Sequence, residues 1–237
     1  MKFKACDERY LTQRREFSEQ IGPRELWSVI DHWPLYVGIG NLARYMAISD
    51  MVRETLDVPG HVAEFGSWRG ANLMFMTKLL RIYDPHSCKL VHCFESFAGL
   101  ETFSTQDGGA GASEVGAYRG NYDELRAMMS LNELDDDVVI HRGDILKTLP
   151  DALKNEGLSF SLIYCDTDLY APSRLILDSL HPRLSKGGVV VMDEWNYDKW
   201  PGEAIAVREF IESHGGAYEM RHVRNSRQPS LVLKKVG

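Results

Sequence analysis

The run Val62-Ala-Glu-Phe-Gly-Ser-Trp-Arg-Gly70, followed by the apolar stretch Leu73 to Tyr83, reads as strand, glycine turn and helix, and sets the fold class as α/β. Gly66 permits a tight turn and close approach of the main chain to a ligand. The helix that follows offers unpaired N–H groups at its N-terminus. Glu64, near the end of the strand, points to a ligand carrying amino or hydroxyl groups.

Downstream the pattern keeps alternating. Strands are expected at Val62–Phe65, Lys89–Phe94, Val138–Arg142, Phe160–Cys165 and Gly188–Met192. Helices are expected from Ala71, over Tyr122–Leu131, near Leu146–Lys154 and over Ser173–Leu184. Such alternation gives a doubly wound sheet with parallel pairing. Pro172 suits the first turn of its helix, and Lys186-Gly187-Gly188 its end. A helix at Glu203–His214 and two strands, Tyr218–Val223 and Leu231–Lys234, complete the chain with a hairpin.

Residues 1–58 are rich in helix formers and predict two or three helices, a cap that covers the site or an oligomer interface. Residues 59–237 form the sheet domain, and the two parts make a single structural unit. Trp27, Trp33, Tyr36 and Tyr45 are expected to pack the cap on the sheet. Thr105–Gly120, with Gly108, Gly109, Gly111 and Gly116, lacks periodicity and is the candidate for a mobile loop beside the site.

With 237 residues and 44% hydrophobic content, the chain can bury the core of one large domain. A formal charge of −7 and a pI of about 5.6 argue against nucleic acid and anionic lipid as partners. No run approaches the ~20 apolar residues of a membrane span, and the charged N-terminus lacks a signal-peptide core, so a cytoplasmic protein is expected. The 4 cysteines and 8 histidines form no compact ligand set. Cys93 and Cys165 are therefore read as buried filler, His92 and His141 as core histidines, and any metal as oxygen-bound.

Ligands of open α/β sheets bind beyond the carboxyl ends of the strands. Those ends are repeatedly acidic here: Glu64, Glu95, Asp144, Asp166 with Asp168, and Asp193 with Glu194. Glu95 can accept hydrogen bonds from both hydroxyls of a ribose. Trp68 and Arg69 stand where a dinucleotide turn needs small residues beside a diphosphate, which favours S-adenosylmethionine, a cofactor with ribose and adenine but no diphosphate. Asp166, Asp168, Asp193 and Glu194 would crowd one rim of the sheet. Such crowding is costly without a cation, and Mg²⁺ or Ca²⁺ prefers hard oxygen ligands. Asp168 taken alone is assigned a structural role. A divalent ion there would chelate substrate hydroxyls, lower the pKa of one and hold its oxygen in line with an activated methyl group. Lys199 and Trp200 are candidate substrate contacts.

Taken in order, several motifs resemble the macrocin O-methyltransferase family, metal-dependent enzymes that methylate sugar hydroxyls in antibiotic biosynthesis. They are Asn41-Leu-Ala-Arg-Tyr45, the glycine turn, Phe94-Glu-Ser-Phe-Ala-Gly-Leu100, Gly143-Asp-Ile-Leu-Lys-Thr-Leu-Pro150, Asp166-Thr-Asp-Leu-Tyr-Ala-Pro172, Leu184-Ser-Lys-Gly-Gly188 and Met192-Asp-Glu-Trp195. The element from Asp166 to Pro172 is the most specific. The resemblance implies the class I S-adenosylmethionine-dependent methyltransferase fold, a Rossmann-like sheet, mostly parallel, with a C-terminal antiparallel hairpin. It implies that Glu64, Gly66 and Ser67 line the methionine end of the cofactor, Glu95 and Ser96 the ribose and Asp144 the adenine end, with Gly70 and Gly143 completing the set. It also implies that Asp166, Asp193 and Glu194 bind Mg²⁺ and that Asp166 is the general base. The family usually carries Asp where this chain has Glu95, and two Asp where it has Asp193-Glu194.

The function expected is a Mg²⁺-dependent O-methyltransferase acting on a hydroxyl of a sugar or glycosylated natural product. A nicotinamide-dinucleotide oxidoreductase and a non-catalytic cofactor-binding protein are the alternatives. The partners expected are a small-molecule sugar or glycosylated substrate, with no nucleic acid and no membrane, and a second copy of the chain joined through the N-terminal helices.

Overall fold

The computed structural model describes residues 4–101, 103–108, 114–195 and 199–237. Five strands, β1 (His61–Phe65), β2 (Val91–Glu95), β3 (Val138–Arg142), β4 (Phe160–Cys165) and β5 (Leu184–Met192), pair in parallel. β6 (Tyr218–His222) and β7 (Leu231–Lys235) add antiparallel, giving the order β3-β2-β1-β4-β5-β7-β6. The order reverses between β1 and β4, so a crevice opens beyond their carboxyl ends.

Side chains alternate across the sheet. Val62, Val91, Leu162, Val189 and Val191 face one layer of helices, where α4 (Ile39–Glu54), α5 (Ala71–Tyr83) and α6 (Tyr122–Leu131) contribute Ile48, Met51, Leu73, Met76, Leu125 and Met129. Ala63, Phe65, Phe94, Ile163, Val190 and Met192 face the other layer. There α7 (Ile145–Ala152), α8 (Tyr170–Leu180) and α9 (Pro201–His214) supply Leu149, Ile176, Leu177, Val207 and Phe210. Both faces are covered, which is why β2 and β4 are buried along their whole length.

The N-terminal segment forms α1 (Lys4–Ile21), the short α2 (Leu26–Asp31) and α3 (Trp33–Tyr36), then α4. Only part of its aromatic set packs inward. Tyr45 packs on Phe75 of α5 with ring centroids 4.7 Å apart and the planes tilted by 54°, whereas Trp27 and Trp33 stay 48% and 41% exposed. Among the described residues no helix is long and apolar enough to cross a membrane.

Two expectations need correction. The helix expected over Ser173–Leu184 is α8, which starts at Tyr170 and stops at Leu180; His181–Arg183 is a 3₁₀ turn. Pro182 has no N–H to extend the helix, and the chain turns into β5 early. Lys186-Gly187-Gly188 therefore lies inside β5 and does not end a helix. The register slips there: Leu184 stands opposite Phe160 but Val189 opposite Leu162. A Cβ at Gly188 would come within 2.8 Å of the Ser161 carbonyl, so glycine lets the irregular strand lie against β4. The second correction concerns Thr105–Gly120, whose residues 109–113 lie outside the described residues. Thr105–Asp107 is a 3₁₀ turn tied down by the buried Asp107 carboxylate, which accepts from Tyr170 N at 2.6 Å and from Ser104 Oγ at 2.7 Å.

Of the two expected core histidines, His92 is buried, whereas His141 is half-buried on the edge strand β3. His92 Nδ1 and His141 Nε2 are 3.0 Å apart, and burial holds His92 down to about 4. In the unfolded chain that ring titrates near 6.5, so the unfolded state takes up the proton first as pH falls. Stability from this group is complete above pH 6.5 and declines toward pH 4, by roughly 1–3 kcal/mol. Urea unfolding across that range should show the decline, and His92→Phe should flatten it; an unchanged slope in the variant would refute the assignment.

Candidate active site

The crevice holds a cavity of about 420 Å³ walled by the ends of β1, β2, β4 and β5 and by the N-terminal helices. Three strand ends meet beneath it. Asp166 N donates to Phe65 O at 2.9 Å, and Gly66 N donates to Phe94 O at 3.0 Å. Gly66 has φ +82, and a Cβ on it would sit 1.8 Å from the Asp166 carbonyl oxygen. A side chain is sterically excluded at that point. Gly70 caps α5 in the left-handed conformation.

Glu95, at the end of β2, is held by the turn itself. Its Oε2 accepts from Trp68 N and its Oε1 from Phe97 N, each at 2.8 Å. Trp68 and Phe97 both have positive φ, 49 and 60, a strain of order 1 kcal/mol each that keeps the two N–H groups aimed at the carboxylate. Ser96 adds its own donors to the same carboxylate. Burial pushes the Glu95 carboxyl up, and the backbone donors oppose that. Ser96 Oγ accepts from Ala98 N at 3.1 Å, and Asp144 caps α7 by accepting from Leu146 N at 3.0 Å. Glu95, Ser96, Asp144 and Gly66 line the cavity; Glu64, Ser67, Gly70 and Gly143 do not. Glu64 is 1% exposed, and burial pushes its carboxyl up to about 7 against the opposing Ser67 side chain, with the Glu95 charge adding to the rise. Ser67 Oγ accepts from the Cys93 thiol at 3.2 Å. Burial pushes the Cys93 and Cys165 thiols up, consistent with inert filler.

On the opposite wall Asp166, Asp193 and Glu194 each present a carboxylate oxygen within 4.8 Å of the others. Asp193 is 1% exposed: its Oδ1 accepts from Tyr164 Oη at 2.6 Å and its Oδ2 from Arg44 Nη2. Arg44 Nη1 is 3.7 Å from Asp166. Burial works against the Arg44 charge, but Asp193 and its neighbours outweigh burial and raise its pKa. Glu194 Oε1 accepts from Gln228 Nε2 at 2.5 Å, and its Oε2 has no partner. Burial, then the Asp193 charge, pushes Asp166, Glu194 and Glu203 well up, and Asp168 up to about 7. These all-oxygen donors, with one buried oxygen unused, fit a hard divalent cation.

Four contributors escaped the sequence reading of this site. Arg44 lies in the quoted Asn41–Tyr45 motif, yet nothing local says that it faces carboxylates 122 and 149 positions away. Glu203, fully buried, accepts from Glu194 N at 2.8 Å and so fixes the backbone of that residue. Arg227 and Gln228, in the turn between β6 and β7, reach the cavity wall. Of the two candidate substrate contacts, Trp200 is buried and lines the cavity, while Lys199 lies 4.7 Å over the Trp200 ring and pairs with Glu114 at 3.1 Å.

Comparison with known proteins gives the fold and the family. The chain is 26% identical to the calicheamicin methyltransferase CalS11, whose crystal structure superposes with a TM-score of 0.82 over 98% of this chain and 93% of that one. Together with the strand order, that likeness gives the class I S-adenosylmethionine-dependent methyltransferase fold. A rhamnosyl-tetracenomycin C 4'-O-methyltransferase of Streptomyces olivaceus is 30% identical over 168 residues, which is 68% of this chain and 60% of the relative. The mycinamicin III 3''-O-methyltransferase of Micromonospora griseorubida is 28% identical over 166 residues, 67% of this chain and 63% of the relative. The matched region thus spans about three fifths of these relatives' own lengths. The sequence model of macrocin-O-methyltransferase (TylF) matches residues 25–227, which takes in every wall of the cavity except Asp7 and Gln228, and the chain belongs to that family.

Proposed function

We propose that this protein is an S-adenosylmethionine-dependent O-methyltransferase whose acceptor is a hydroxyl of a sugar or of a glycosylated natural product, and that it works with Mg²⁺. The observation that carries the proposal is the meeting, in one cavity, of the Glu95 cradle and the Asp166, Asp193 and Glu194 carboxylates. S-adenosylmethionine, when bound, supplies a methyl group on a positively charged sulfur. The Glu95 carboxylate would take the ribose hydroxyls, and Ser96 and Asp144 would bound the nucleoside, while Glu64, behind the cavity wall, would act on the methionine end only through its charge. Asp166, Asp193 and Glu194 would hold Mg²⁺, whose charge acidifies a sugar hydroxyl.

Asp166 is the proposed general base. Its raised pKa suits it to take the hydroxyl proton on a carboxylate oxygen, and its place at the Gly66 contact sets the acceptor beside the cofactor turn. Trp68 and Trp200 wall the cavity with apolar surface, which excludes water from the transfer. The walls are acidic and aromatic, which suits a polyhydroxylated substrate rather than nucleic acid. The dinucleotide alternative has little support: Trp68 lines the cavity where a diphosphate would need room.

Calorimetry should show binding of S-adenosylmethionine to the folded protein. Methylation across a panel of rhamnosylated and other glycosylated acceptors should fall by at least ~100-fold in chelator and return with Mg²⁺, the scale expected of a charge that stabilises a developing oxyanion. Absence of cofactor binding would sink the methyltransferase reading. Full activity in chelator would sink only the metal requirement.

A further inference from the structure

We propose that Arg44 is a resident counter-ion of the carboxylate site, holding Asp193 and Asp166 while no divalent cation is bound and competing with that cation for them. This rests on the divalent-cation reading given above. Arg44 is placed by packing: on α4 it stands one and two turns before the buried Ile48 and Met51, which fix the helix against the sheet. Its guanidinium donates to Asp193 Oδ2 and lies 3.7 Å from Asp166, so it touches two of the three candidate ligands.

Asp193 has little else to give. The residue is buried and each of its oxygens already accepts a hydrogen bond, Oδ1 from Tyr164 and Oδ2 from Arg44, so a cation joining the three carboxylates shares Asp193 with the guanidinium beside it. Glu194 differs, since its Oε2 is unpartnered and open to a newcomer. Without a cation, carboxylates this close repel one another, and one guanidinium offsets part of that charge. With a cation present, two positive groups would crowd the same oxygens. Arg44 then releases Asp193 or weakens binding, and either way the free protein trades metal affinity for integrity of the empty site.

The test is Mn²⁺ titration of the cofactor-free protein by calorimetry, with melting curves recorded with and without Mn²⁺. Arg44→Gln removes the charge and should bind Mn²⁺ at least ~10-fold more tightly than wild type, the scale of one like-charge contact in a partly buried site. Arg44→Lys keeps the charge and should stay within ~3-fold of wild type. Metal-free Arg44→Gln should melt below wild type, and the gap should close under saturating Mn²⁺. If wild type binds Mn²⁺ and Arg44→Gln binds equally or more weakly, the counter-ion role is overturned while the metal reading stands. If Arg44→Lys binds as tightly as Arg44→Gln, bulk rather than charge is at work and the proposal fails. If wild type and both variants leave Mn²⁺ unbound at millimolar concentration, the metal reading falls and the proposal falls with it.

Discussion

Gly66→Ala is expected to lose about 2–5 kcal/mol of stability and all measurable S-adenosylmethionine binding. Two costs add. A residue with a Cβ must hold φ +82 in the left-handed region, which costs about 1–2 kcal/mol. The methyl would also lie 1.8 Å from the Asp166 carbonyl oxygen, which is backbone and cannot rotate aside. Relief requires β1 and β4 to part at their carboxyl ends, an overpacking strain of ~1–3 kcal/mol or more. That movement would carry Asp166 away from the Gly66 turn and from Glu95 beyond it, and would disturb the turn that delivers Trp68 N–H to Glu95. Urea unfolding reports the first effect and calorimetry the second. A variant that unfolds at the wild-type midpoint and binds the cofactor within about threefold would show that the strand ends are not rigidly joined.

Glu64→Gln should act in opposite directions on stability and on binding. The folded protein holds the Glu64 carboxyl up to about 7 against an ordinary value of 4.5, because the side chain is buried and the Ser67 and Asn72 side chains offset only part of that cost. Below pH 4.5 both states are protonated and the group costs nothing. As pH rises toward 7 the unfolded chain releases the proton and the folded chain keeps it, so stability falls, by about 3 kcal/mol once pH is well above 7. Gln is neutral throughout. The variant should therefore be more stable than wild type by about 2–3 kcal/mol at pH 8 and equal to it near pH 4.5. If the carboxylate charge serves the cationic methionine end of the cofactor, the same change should weaken binding by ~10–100-fold, the scale of one nearby charge in a partly buried site. Unchanged affinity would remove Glu64 from the cofactor set, and a less stable variant at pH 8 would contradict the burial argument.

The strands were legible where burial writes itself into sequence. Val138–Arg142 and Phe160–Cys165 match the structure residue for residue, as does the helix Tyr122–Leu131: a strand covered on both faces such as β4 demands an apolar run, the edge strand β3 shows its β-branched residues, and a half-exposed helix demands a period. β5 was harder, since two glycines inside a strand look locally like the end of a helix, and only β4 beside them explains the bulge. The acids of the site could be picked out because strand ends are where such sheets bind ligands. Their partners could not. Arg44 reaches Asp193 across 149 positions, and Gln228 reaches Glu194 across 34, contacts set by how α4 and the β6–β7 turn pack, with no spacing that reveals them. Glu203 looked like an ordinary acid in the first turn of a helix until its burial against Glu194 N was visible.

The placement of β7 bears on how the protein is made. β7 follows β6 in the chain but lies inside it, between β5 and β6, and its Leu231 to Lys234 pair with Met192 to Val189. A polypeptide emerging from the ribosome can therefore lay down β1 to β5 as each appears, but β6 has no neighbour to join until β7 arrives. Until then the β5 edge, Val189-Val-Val-Met192, stands open, and Glu194 lacks Gln228. The sheet and the acidic wall of its cavity thus close in one late event, during which the nascent chain exposes the strand edge most prone to pair with another molecule.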